Sequence, residues 1–315
     1  MKKIFFVKSL FLLSILLLTK ADYAQDAGND VGVRGKGKYS KGFHFGLFCG
    51  ALFANSYSAS LYDGYGLDND GNKNDFPNSH MYEKIINEYG GGNGLPDRIA
   101  PALNCNHADW AFDQTDMPIN MRYNAAIMVG LNMNYQLTPN DALILNVNGS
   151  KLTANGDFTI QVNDPTVGVG SPPLLRTFPI VGGEQRLVFN LGYQRILGEA
   201  GQFNVFLEGG LTCTMAKFMN NTININGLII DLNTYYNTYG NVSFQQKNFT
   251  GIGWGAFAGI GFNINISPKW QVQLVYDPSY EKVNIGVDAK DTFQHTAGLR
   301  AYYKLKGKAA IADQH

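Results

Sequence analysis

The sequence is poor in charge, in cysteine and in long apolar runs, and each shortage excludes a class of protein. Of its 315 residues only 16% are charged, and 25 basic residues balance 25 acidic ones to a net charge of 0. A neutral chain has no basic face with which to neutralise phosphates, so nucleic acid is excluded as a partner. Three cysteines, Cys49, Cys105 and Cys213, are too sparse and too odd in number for a disulfide framework. Beyond the N-terminus no run approaches the roughly 20 apolar residues of a membrane-spanning helix. The mean hydropathy of −0.15 looks soluble. It leaves a membrane barrel open, because barrel strands dilute each apolar residue with a polar one.

What is abundant is aromatic residues and glycine, with 17 Tyr, 20 Phe and 36 Gly. The stretch that organises the chain is Asn120 to Leu137. Its odd positions, Met121, Tyr123, Ala125, Ile127, Val129, Leu131, Met133, Tyr135 and Leu137, are apolar. Its even positions are mostly polar or small, among them Asn120, Arg122, Asn124, Asn132, Asn134 and Gln136. A period of two is a strand, since successive side chains point to opposite faces. A strand of about 10 residues with one greasy face is what a tilted bilayer crossing requires.

Seven further segments repeat the pattern: 43–54, 142–152, 184–197, 203–218, 251–266, 270–276 and 292–305. Their connections alternate between short turns, such as Thr138-Pro139-Asn140-Asp141, and long stretches rich in Asn, Asp, Gly and Tyr. Long outer loops and tight periplasmic turns are the rhythm of an even-stranded antiparallel barrel. The outward residue at the short-turn end of most strands is aromatic: Phe43, Tyr135, Tyr193, Phe203, Trp270 and Tyr303. Amphipathic rings at one depth form a membrane-interface girdle. A soluble sandwich or lipocalin-like barrel has no reason to align them.

The predicted fold is all-β, a closed antiparallel eight-stranded transmembrane β-barrel. Closure is obligatory in lipid, where an open strand edge has no water to bond. Eight strands leave an interior only wide enough for side chains.

The N-terminus reads as an export signal: Lys2 and Lys3, an apolar core Leu10 to Leu18, and a small-residue exit. Cleavage is expected after Ala24, although Asp22 sits unfavourably at −3, with Ala21 as the alternative. The expected organisation is a signal peptide over 1–24, a periplasmic lead over 25–41, the barrel over 42–305 and a periplasmic tail over 306–315.

The strand count, loop rhythm and polar-in, aromatic-rimmed pattern resemble the small eight-stranded outer-membrane barrels of the OmpA transmembrane domain, OmpX and OmpW type. The resemblance covers roughly Gly42 to Leu305 and lies in pattern, not in a diagnostic string. It implies an outer membrane of a Gram-negative-type envelope. One departure is that Tyr303 and Leu305 stand about ten residues before the end of the chain, so the assembly signal is internal.

Inward charges are expected at Arg122, Glu184, Arg186, Glu208, Asp277, Arg300 and Lys304. A charge in a narrow lumen must be paired to offset its desolvation. Glu208 lies five residues above Phe203, and Arg300 five residues before Leu305, which puts them at similar depth. The expected network pairs Glu208 with Arg300, with Glu184 and Arg186 as a second tier nearer the outer mouth, and includes Arg122. The glycine face of Gly251, Gly253, Gly255, Gly259 and Gly261 either clears a ligand pocket or makes room for bulky inward residues such as Phe257. Asp68, Asp70 and Asp75 alternate around Gly71 like weak calcium ligands, but lack the bidentate Glu of an EF-hand.

The histidines do not converge on a catalytic set. Ser79-His80 and His107-Asp109 are the only local pairings. No cofactor is implied. The reading is a non-enzymatic outer-membrane barrel that meets lipid with its wall and protein partners with its external loops. The alternatives are an accessory subunit of a secretion or motility machine and a narrow solute channel.

Overall fold

The computed structural model describes residues 42–68, 72–163, 172–198, 202–236, 243–245, 250–285 and 289–305. The signal peptide, the lead, Asp70 and the tail lie outside the described residues. Eight long strands are β1 (Gly42–Phe53), β2 (Ala126–Gln136), β3 (Asp141–Val162), β4 (Leu174–Leu197), β5 (Phe203–Ile225), β6 (Thr250–Asn265), β7 (Trp270–Lys282) and β8 (Asp291–Lys304). Each pairs antiparallel with its sequence neighbour, and β8 returns to β1 with Phe45 opposite Tyr303, which closes the ring.

Rows of outward side chains run across the strands. Met133, Leu145, Leu191, Leu211 and Ala256 form one row. Leu131, Val147, Phe189, Cys213 and Trp254 form the next. Orientation is decided by exposure: Leu131 and Leu191 are 64% and 60% exposed, whereas Asn132 and Asn190 are 2% and 8%. A water-soluble barrel would bury the leucines. On β4 the apolar band lies between outward Arg195 and outward Gln185. Ten residues at about 3.3 Å, tilted by about 40°, span roughly 25 Å, the height of a hydrocarbon-facing band.

Strands β3, β4 and β5 run on for 22, 24 and 23 residues, about twice what a crossing needs. The pattern then inverts within one strand. In lower β3, Leu143, Leu145 and Val147 face out and Asn146 and Asn148 face in. In upper β3, Lys151 and Asp157 face out, while Leu152, Phe158, Ile160 and Val162 are buried inside. The lower half is patterned for lipid outside and the upper half for water outside.

The upper cup is filled by the described residues of 54–68 and 72–125, which form a folded cap. A 3-10 helix, Ser56–Tyr62, starts where Asn55 accepts the backbone N–H of Tyr57. A helical turn over His80–Tyr82, capped by Ser79, continues as a π-turn over Glu83–Glu88. A third helix, Ile99–Leu103, is held by the Asp97 carboxylate on the N–H groups of Ile99 and Ala100 at 2.8 and 2.9 Å. Asn104, at φ 54°, ends it in the left-handed conformation that Asn tolerates. Tyr62, Met81, Ile85, Ile99 and Leu103 pack with Phe158, Ile160, Ile180 and Ile223 of the wall as one buried cluster.

Several strand limits differ from the sequence reading. Strand β2 begins at Ala126, not Asn120. Arg122 and Tyr123 face Asn155 and Ala154, one residue out of step with the β2–β3 register in which Met128 faces Ser150. The extra residue near Asn124 and Ala125 reverses the side-chain parity, as a bulge does. Met121 and Tyr123 therefore turn inward and Arg122 is exposed. A second irregularity leaves Met219 unmatched between Phe218 and Asn220, so that Ile223 and Ile225 face inward. Strands β3, β4, β5 and β7 extend beyond the limits expected, and in β3 and β5 the outer parts no longer show an apolar outward face.

Candidate functional site

The lumen holds two tiers of charge. In the lower one Arg300 donates from Nη1 and Nη2 to both oxygens of Glu208, each at 2.8 Å, and from Nη2 to Asp277. Gln194 donates to Glu208 at 2.8 Å and pairs with Gln273. These groups sit on β4, β5, β7 and β8, so the tier bridges the ring. Gly259 makes the meeting possible, since a Cβ there would lie 1.9 Å from Asp277 Oδ1. The glycine face of β6 thus serves its neighbours: a Cβ on Gly261 would strike Phe206 at 2.3 Å.

The upper tier joins cap to wall. Arg186 Nε donates to Glu184 at 2.5 Å, Nη1 to Gln294 at 3.2 Å and Nη2 to Ser58 Oγ at 3.0 Å. Tyr123 and Tyr62 donate their hydroxyls to Glu184 Oε2 at 2.5 and 3.2 Å. Arg186 also lies 5.2 Å from the centre of the Tyr123 ring, a cation–π contact. The Tyr62 ring stacks on Phe218 at 5.2 Å, directly over Gly182. Glu184 and Arg186 are both fully enclosed.

Arg122 is corrected out of this network, because the bulge points it to solvent and puts Tyr123 in its place. Ser58, Tyr62, Tyr123 and Gln294 were missed. Ser58 and Tyr62 have no strand period, Tyr123 keeps the outward parity until the bulge reverses it, and Gln294 carries no charge to draw notice. Lys304 donates to Asn265 at the periplasmic end.

The girdle residues Phe43, Tyr135, Tyr193, Phe203, Trp270 and Tyr303 lie on the outer face, with Phe43 on Tyr135 at 4.7 Å and Trp270 on Tyr303 at 5.2 Å. A second set, Phe53, Trp254, Tyr280 and Phe293, stands exposed at the other end of the belt. Asp68 is turned to Asn72 and Asp75 to Asn78.

In the cap, His107 meets Asp97 at 2.5 Å, with Trp110 Nε1 donating to the same oxygen at 3.2 Å. The partner is Asp97 and not the neighbouring Asp109, which instead caps the turn at Asn106. Burial raises Asp97, but the N–H groups of Ala100 and Ile99, with His107 and Trp110, outweigh it and hold the carboxyl below its usual range. Cys105 turns its Sγ to the Ala100 carbonyl at 3.8 Å, and burial pushes the thiol up, away from the reactive thiolate. His80 is buried and its imidazole is lowered to about 4, chiefly by burial.

Ring, belt and filled lumen together define the class: an eight-stranded β-barrel of the outer membrane, carrying a folded outer cap. No family model matches the chain, and no curated protein matches it. Among solved structures it is similar to neisserial surface protein A, at 8% identity over 85% of this chain and 99% of that one, with a TM-score of 0.37. It is likewise similar to Ail, the attachment invasion locus protein of Yersinia pestis, at 9% identity over 84% and 99% with a TM-score of 0.34. The outer membrane protein OprG from Pseudomonas aeruginosa aligns at 10% identity over 85% and 99%, with a TM-score of 0.38. These superpositions are loose, so the class rests on the strand ring and its apolar belt.

Proposed function

We propose that this chain is a sealed, non-enzymatic surface protein of the outer membrane, whose cap is the body it presents for contact. The observation that supports this most is the shared hydrophobic cluster of cap and upper wall. A mobile loop buries nothing, whereas this cap inserts Tyr62 over Gly182 and locks Ser58, Tyr62 and Tyr123 onto Glu184 and Arg186. The Glu208–Arg300–Asp277 tier closes the lumen a second time. The non-enzymatic reading is supported by Cys105, whose thiol turns to the Ala100 carbonyl and is pushed up by burial, away from the reactive thiolate.

Planar-bilayer recording of the full chain tests the seal. No steady conductance is expected, and a reproducible ion current from the wild type overturns it. Affinity capture from detergent-solubilised membranes tests the contact role. Partners should be lost when protease trims the cap, and a partner kept after trimming transfers the role to the barrel wall, as in an accessory subunit of an envelope machine. The boundaries 1–24, 25–41, 42–305 and 306–315 belong to the same proposal. N-terminal sequencing of the exported protein should read from Gln25.

A further inference from the structure

The first outward row above the apolar belt differs in kind from the rows below it. It runs Lys151, Gln185, Lys217, Thr250 across four adjacent strands. All four side chains are exposed. The row beneath is Val129, Gly149, Leu187, Met215, Ile252, with no polar side chain in it. Two ammonium groups thus stand just beyond the apolar rows of the wall, on strands two positions apart, about 10 Å between backbones.

Among the described residues, neither lysine has a carboxylate within ion-pair distance. On the opposite wall Lys282 has an acidic cross-strand neighbour, Asp291, whereas the cross-strand neighbours of Lys151 and Lys217 in this row are Gln185 and Thr250. The next outward row up adds a hydroxyl and an amide without adding negative charge: Thr153 and Asn220, on either side of Gly183. An uncompensated positive row flanked by hydroxyl and amide groups, standing on a lipid-facing wall, is complementary to one kind of neighbour. That neighbour is an anion held at the membrane surface by its own acyl chains.

We propose that Lys151 and Lys217, with Gln185 between them, form a binding site for the phosphate of an outer-leaflet lipid. The acyl chains lie down the ladder of Leu187, Met215 and Ile252. The phosphate bridges the two ammonium groups, and the Gln185 amide donates to it. The site fixes the depth of β3 to β5, the strands whose upper halves carry the cap.

The test uses the full chain in detergent micelles and native mass spectrometry. One arm adds phosphatidic acid and the other adds monoglucosyl diacylglycerol, an apolar-tailed lipid without phosphate. The wild type should retain phosphatidic acid preferentially, with retention falling as ionic strength rises. The double variant Lys151→Gln/Lys217→Gln should weaken that retention by roughly tenfold to thirtyfold, the effect of two surface cations on an anionic headgroup. A Lys282→Gln variant, altered on the opposite wall beside Asp291, should bind like the wild type.

Equal retention of both lipids overturns the proposal, as does an unchanged affinity in the double variant. So does competition by millimolar inorganic phosphate as strong as that by phosphatidic acid, because a lipid site draws on the chains as well. Glutamine keeps the length of the exposed stem, and heat-modifiability on gels confirms that the ring is intact.

Discussion

Replacing Gly182 with alanine drives one methyl group into the joint between cap and wall. The added Cβ would lie 2.2 Å from Cγ and Cδ1 of Tyr62, a rigid ring with no far end to swing aside. Tyr62 has to leave. It then loses its stack on Phe218 and its hydrogen bonds to the Gly183 carbonyl and Glu184, both 3.2 Å. Overpacking costs about 1–3 kcal/mol, the stack about 0.5–1.5, and a hydrogen bond to a charged partner about 1.5–3. These terms share the same displacement and do not add in full, so about 3 kcal/mol is the expected loss of cap docking, roughly two orders of magnitude in the opening equilibrium. Amide hydrogen exchange in lipid nanodiscs reads this directly, because strands β1 to β8 report the ring and Ser56–Tyr62 reports the cap. Protection should collapse in the cap and persist in the ring. Gly149→Ala is the matched control, since its Cβ would meet nothing nearer than the Val129 carbonyl at 3.9 Å. Cap protection in Gly182→Ala within twofold of the wild type would refute the packing argument.

Glu208→Ala leaves Arg300 enclosed with Asp277 alone, and the loss of one partner of a buried pair costs about 3–5 kcal/mol. The heat-modifiability transition on gels should fall, and an unchanged transition removes the lower tier as a stabilising element. Tyr123→Phe should weaken cap protection by about 1.5–3 kcal/mol, the size of a bond to a charged acceptor, whereas Arg122→Ala should be neutral. The reverse result would restore Arg122 to the lumen. Acid should loosen the cap through His80, whose folded value of about 4 lies below its ordinary 6.5. The unfolded cap then binds the extra proton, so docking is unaffected above pH 7, weakens as pH falls through 6.5, and levels off below 4. The full effect is about 3 kcal/mol. Asp63, raised by burial against the pull of Lys73, acts in the opposite sense. The His80 share is therefore the difference between wild type and His80→Asn, and superimposable profiles would dismiss it.

The membrane half was legible because a barrel wall repeats one rule over many residues. Leu143, Leu145 and Val147 announce lipid as clearly as Asn146 and Asn148 announce a lumen. Counting from Phe203 and from Leu305 placed Glu208 and Arg300 at one depth, and their side chains meet across the lumen. The outer half was hidden by the same rule. Phe158, Ile160 and Val162 keep the period of two, but Asp157, Thr159 and Gln161 opposite them make the strand read as loop when the search is for a greasy exterior. The cap residues Tyr62, Met81, Ile85, Ile99 and Leu103 fall on helices of three to seven residues, too short to impose a period. Arg122 was misplaced by a single residue of slippage, which no alternation within the strand itself records.

The cap lies between the first and second strands, and the first strand is also one lip of the seam that joins β1 to β8. A finished ring of this width is full of its own side chains and admits no folded body. Residues 54–125 must therefore be delivered to the cell exterior while the ring is still open. Biogenesis acquires a compulsory order: the headpiece travels first, and the weld between first and last strand is made behind it.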